Sequence, residues 1–200
     1  MKQKAEIHRF LLQSLFGKIE NKHDAAINRA YRDFNRTLKD FYKDDKDERK
    51  IKVKEDWNLI IKRFINEVKN KTYENYAAFD SIHEDFCNQL INFNKNLYNK
   101  LTRGQAQKWL NMTLKYLIIL EEDGIEINMQ YFHIPIDNII QDILQKTMEI
   151  PKKFPVWSQI NDYEAYLKYQ NEIRIKFKND YPIIKELELF NDAIANLENR

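Results

Sequence analysis

Apolar residues recur along this chain at three- and four-residue steps, the period of a helix with one buried face. Phe10, Leu11, Leu15, Phe16 and Ile19 make the first stripe, and Ile27, Ala30, Tyr31, Phe34, Leu38 and Phe41 the second. Lys43 to Glu48 carries no large apolar residue and reads as a solvated connection. Trp57, Ile60, Ile61, Phe64, Ile65 and Val68 form a third stripe, followed by a polar stretch from Lys69 to Tyr76. A longer helix is expected from Phe79 to Leu101, through Ile82, Phe86, Leu90, Phe93 and Leu97. Gly104 breaks that pattern.

Ala106 to Leu120 is helical again, with Trp109, Met112, Tyr116 and Leu120 on one side and Glu121-Glu122-Asp123-Gly124 as its end. The segment up to Ile134 has no clear period. Asn138 to Met148, Ile160 to Phe177 and Ile183 to Leu197 are the last three helices. The pattern predicts an all-α fold of seven to nine helices with a helix-hairpin-helix near residue 104. The polar stretch at 69–76 marks a boundary between amphipathic N-terminal helices (1–70) and a second helical region (71–200), which can share one core.

Composition sharpens this picture in a few places. Only three glycines and four prolines are present, too few turn residues for a many-stranded β fold. Lys and Arg total 33 against 31 Asp and Glu, a net charge of +2, so bulk charge does not announce a nucleic-acid partner. A local basic patch would suffice for one. The single cysteine, Cys87, rules out an intramolecular disulfide. No apolar run approaches the roughly 20 residues of a membrane span, and no secretory pattern is visible. The expectation is a soluble cytoplasmic protein with no membrane partner. Abundant Lys, Asn and Ile point to an AT-rich genome, such as that of a low-GC bacterium or its phage.

The chemistry concentrates at two places. Thr102-Arg103-Gly104-Gln105-Ala106-Gln107-Lys108 joins two helix-patterned segments, and His133-Ile134-Pro135-Ile136-Asp137 opens another helix. A glycine can take a positive φ. The first amides of the helix behind it lack intrahelical partners and can take a phosphate. Lys100 and Arg103 flank the turn with positive charge. These two motifs resemble the hairpin and the Pro-x-Asp of the helix-hairpin-helix DNA glycosylases, particularly the 8-oxoguanine branch, over roughly residues 79–144. Arg103 and Ala106 stand where that family has a proline and a second glycine.

The resemblance implies binding of double-stranded DNA through Lys100, Arg103, Gly104, Gln105 and Gln107. It implies N-glycosidic bond cleavage with Lys108 as nucleophile, and Asp137 stabilising the positive charge that develops. Read without the resemblance, Lys108 is a solvated lysine and Asp137 a helix N-cap.

Other candidates are weaker. His83 and Cys87 lie one helical turn apart, as zinc ligands do, but they share a face with Ile82 and Phe86 and read as core. His133 and Asp137 have no evident third ligand. No metal and no cofactor is therefore expected. Tyr163, Tyr166 and Leu167 fit one packing stripe, and Lys168, Arg174, Lys176 and Lys178 alternate with Glu164, Glu172 and Asp180 on a solvated face. The leading reading is a DNA-binding, glycosylase-like protein, with or without activity. The alternative is a small helical module that binds, inhibits or bridges a protein partner through its amphipathic N-terminal region.

Overall fold

Helix α5 (Arg103–Ile119) is the axis of the molecule: every residue from Gly104 to Leu117 is buried. The computed structural model describes residues 2–38, 48–93, 101–178 and 180–198. Around α5 stand α1 (Lys2–Phe16), α2 (Lys22–Phe34), α3 (Glu48–Asn70), α4 (Tyr76–Asn92), α6 (Asn138–Met148), α7 (Tyr163–Phe177) and α8 (Pro182–Glu198). Three short 3-10 turns, Asn35–Thr37, Glu126–Tyr131 and Trp157–Gln159, complete the described elements, among which there is no strand. The all-α expectation is met.

Most helices begin where a short polar side chain can take an orphan amide. Asn21, Asn75, Thr102, Asp137 and Asp162 cap α2, α4, α5, α6 and α7 in this way. Each such cap contributes about 1 kcal/mol. Thr102 and Gln105 form a reciprocal capping box at α5. Gly17 closes α1 with φ +79, a conformation that costs glycine little.

The small residues Ala25, Ala26 and Ala30 let α2 lie close to α5. Trp109 of α5 then fills the space between Tyr31, Phe34 and Trp57, with ring centroids 5.3, 5.2 and 6.0 Å away. Its indole N–H donates to the Ile27 carbonyl at 3.1 Å, so the buried ring leaves no orphan donor. One buried apolar cluster runs from Phe16 to Leu189 and includes residues on both sides of 69–76. Asn128 links the two sides at this point. Its amide donates to the Val68 and Lys71 carbonyls and its oxygen accepts from the Tyr73 amide.

Two expectations need correction. The helix beginning near Phe79 ends at Asn92, where Phe93 turns extended (φ −68, ψ 129), and Leu101 instead leads into α5. Gly104 does not turn the chain either, since it lies inside the first turn of α5 and is not among the positive-φ glycines. The first half of the expected hairpin, with Lys100, lies outside the described residues.

Candidate functional site

Lys108 and Asp137 meet. The lysine, in the second turn of α5, places Nζ 2.6 Å from Oδ2 of Asp137, the N-cap of α6. The other carboxylate oxygen, Oδ1, accepts from the Ile140 amide at 2.8 Å. One aspartate therefore caps a helix and neutralises a cation. The lysine side chain is 7 % exposed and the aspartate side chain 21 %. A cleft of about 920 Å3 bordered by Phe16, Tyr31, Lys54 and Asn58 takes in neither of them.

The remaining hairpin residues face inward. A Cβ on Gly104 would stand 2.0 Å from the Trp157 carbonyl oxygen. The glycine is required by this close approach of the Trp157–Gln159 turn to α5. The Gly104 amide donates to the Ile160 carbonyl at 2.9 Å, that of Gln105 to Thr102 Oγ1 and that of Ala106 to the Thr102 carbonyl. None of these three amides is left for a phosphate. Gln105 is buried and donates to Thr37. Gln107 is buried and donates to the Gly104 and Ile136 carbonyls. Gly104, Gln105 and Gln107 thus do not present a DNA-facing surface. Arg103 alone is partly exposed, with its guanidinium 4.0 Å from Glu84 and 5.6 Å from the Tyr163 ring centre.

From Gln107 a polar network runs through the interior. Asn111 donates to Gln107 Oε1, to the Ile134 carbonyl and to Tyr166 Oη, and its own oxygen faces His83 Nε2 at 3.0 Å. The Ile134 carbonyl fixes this amide's orientation, since only an N–H can face it. His83 must therefore donate from Nε2, and its Nδ1 faces Tyr163 Oη at 2.8 Å. His133 Nε2 meets Asp80 Oδ1 at 2.7 Å and its Nδ1 meets Tyr166 Oη at 2.9 Å. Arg174 grips both oxygens of Asp80, at 2.9 and 2.6 Å. The two imidazoles, both fully buried, lie 4.3 Å apart.

Their electrostatics follow from this arrangement. Burial would raise Asp80, but the hydrogen bonds from His133 and Arg174 outweigh it and hold the carboxyl near 2. Burial lowers His133 to about 4 against the opposing Asp80 hydrogen bond. Because Arg174 already balances the carboxylate, a second cation there is surplus. Burial, and then the charge of His133, push His83 well below the ordinary histidine value. A second ion pair, Lys115 with Glu186 at 2.6 Å, ties α5 to α8, and burial raises that carboxyl.

Sequence reasoning brought Lys108 and Asp137 together and missed the rest as a unit. Polar residues at buried helical spacings were the available signal: Asp80, His83 and Cys87 on α4, and Tyr163, Tyr166, Gln170 and Arg174 on α7. Lys115 and Glu186 carried none. His83 and Cys87 are buried core residues, and among the described residues no group of three or more potential ligands is placed to hold a metal. No helix of the described residues is long and apolar enough to cross a membrane. Scanned against models of known families, against curated proteins and against solved structures, the chain matches none.

Proposed function

We propose that this protein is a docking module that presents α1 to a protein partner. The observation carrying this reading is the exposure of Ile7, Phe10, Leu11 and Leu15, at 54, 67, 58 and 40 %. They share one face of α1, while Leu12 and Phe16 on another face pack against the core. Residues 3–11 are exposed on all sides. A lone helix of this length is marginal in water, so a covering surface would stabilise it. The exposed stripe amounts to roughly 400 Å2 of apolar surface, the size of the largest patch on a typical monomer, which is often functional. Flat pairing of two copies would bury about half of the ~800 Å2 per partner that stable interfaces need. A groove wrapping the helix buries more of it than flat pairing does. Lys4 and Arg9 against Glu6 suit an acidic groove rim.

The test is a photo-crosslinking residue placed at Phe10 or, as a control on α8, at the exposed Glu188. A single protein adduct from Phe10 alone, lost in Leu11→Glu, is expected. An adduct with a second copy of this chain, or none, overturns the reading.

One observation favours the DNA-repair reading: the 2.6 Å meeting of Lys108 and Asp137. Against it stand the coverage of Gly104, Gln105 and Gln107 and the burial of Lys108 itself. Borohydride trapping on duplexes carrying oxidised, alkylated or deaminated bases decides it. A covalent link abolished by Lys108→Ala would establish the chemistry, and the absence of any link would leave the pair structural.

A further inference from the structure

We infer that the buried histidine pair is an acid-sensitive latch: protonating it frees α7 and α8 from α4 and α5 while α2, α3 and α5 remain packed. Four long polar side chains tie α7 into the interior. Tyr163 reaches His83 Nδ1 and the Asp80 carbonyl, Tyr166 reaches His133 Nδ1, Gln170 brackets Ile134, and Arg174 grips Asp80. Three of those four side chains end on a histidine or on the carboxylate that orients one.

Hydrogen-bond bookkeeping at Tyr166 makes the latch sensitive. With His133 neutral, Nε2–H donates to Asp80 and the bare Nδ1 accepts the Tyr166 proton. The Tyr166 oxygen meanwhile accepts from Asn111 at 2.9 Å and from Gln170 at 3.1 Å. Every group is satisfied. A proton on Nδ1 turns that acceptor into a third donor aimed at the same oxygen, and the Tyr166 hydroxyl proton loses its acceptor. A buried orphan of this kind is costly. His83 differs, because Tyr163 can turn its proton to the Asp80 carbonyl at 3.0 Å. Its obstacle is charge, with the His133 ring 4.3 Å away.

The surroundings offer little relief. From α4 the facing titratable groups are Asp80, Glu84 and Cys87. From α7 they are Tyr163, Tyr166 and Arg174, and from the start of α5, Arg103. Asn111 and Gln107 of α5 are neutral, and α3 contributes the Phe64 ring. Asp80 is already committed to Arg174. Cys87, whose thiol burial pushes up, stays uncharged 3.9 Å from His83. Glu186, which burial raises, opposes the release, because its protonation favours the closed state. The exposed Asn161 and Asp162 precede α7 and give it a place to swing.

Cys87 reports the motion directly, being fully buried beside His83. The experiment is the rate of Cys87 modification by a dipyridyl disulfide, which reacts in acid, alongside far-ultraviolet dichroism and tryptophan emission. Between pH 7 and about pH 4.5 the rate should rise at least about tenfold while helix content and the burial of Trp57 and Trp109 persist. His133→Gln, which cannot take the proton, should remove most of that rise. Should the variant fold poorly, imidazole C–H resonances of the native protein give the same answer. Both buried rings must titrate in step with Cys87 exposure. Protection of Cys87 maintained at pH 4.5 overturns the latch, as does exposure only together with loss of helix signal.

Discussion

Replacing Gly104 with alanine sets two effects against each other. Alanine favours a helix interior over glycine by about 1 kcal/mol, so local propensity alone predicts a gain. The structure predicts a loss. The added Cβ would stand 2.0 Å from the Trp157 carbonyl oxygen, 3.0 Å from its carbon and 3.3 Å from Ile160 Cβ. Two of these are backbone atoms, which cannot rotate away, so the Trp157–Gln159 turn must lift off α5. Lifting it strains or breaks the bond from the Gly104 amide to Ile160 and the 2.6 Å bond from Thr102 Oγ1 to the Ser158 carbonyl. Two hydrogen bonds at about 1 kcal/mol each, with about 1–3 kcal/mol for overpacking, outweigh the propensity gain. The net expectation is about 2–4 kcal/mol of destabilisation. Urea unfolding followed by dichroism measures it, and Trp157 emission should shift as that turn moves. A variant as stable as the parent, or more so, would refute the claim that close approach dictates this glycine.

Asp137→Ala removes the α6 cap and strands the Lys108 charge, and should cost about 2–4 kcal/mol in the same assay. Asp137→Asn keeps a capping oxygen and should cost visibly less. For the Lys115–Glu186 pair, Glu186→Leu alone should cost about 3–5 kcal/mol, whereas Lys115→Met with Glu186→Leu should be near neutral. Unfolding measured against pH tests His133. Its folded value lies below the ordinary 6.5, at about 4, so the unfolded chain binds the proton first. Stability is then full above about pH 6.5 and falls below it, by about 2 kcal/mol from His133 between pH 7 and 5. His83 acts in the same sense, Glu186 in the opposite one, and Asp80 only below about pH 4. A flat profile between pH 7 and 5 would contradict the burial of neutral histidines.

Features set by neighbours in the chain were legible beforehand. The α6 bounds, Asn138 to Met148, follow from the Asp137 cap and the isoleucine spacing behind it. Features set by distant residues were not. Trp109, Met112 and Tyr116 suggested a one-sided α5, on which Lys108 had a solvated reading and Gln105 and Gln107 a DNA-facing one. The partners of Lys108, Asn111 and Lys115 arrive from Asp137, Tyr166 and Glu186, invisible to any local pattern. Gly104 was read as a turn because its true reason, the Trp157 carbonyl, lies far along the chain. Lys108 and Asp137 were paired through a family resemblance, while Lys115 and Glu186, at the same 2.6 Å separation, had no such pointer. At Phe79 to Leu101 a four-residue spacing carried on after the helix had stopped.

The burial of α5 on every side also bears on how the chain is made. A ribosome delivers α2, α3, α4 and α5 first, and these can already enclose Trp109. The same helix then holds Lys108 and Lys115 without a counter-charge, and Asn111 with only Gln107 and His83, because Asp137, Ile134, Tyr166 and Glu186 are still to be translated. A nascent chain halted before α8 therefore carries uncompensated polar groups at the site of its future centre and remains open to water there. Helices α6, α7 and α8 complete the middle of the molecule, and the interior can close only once α8 has been translated.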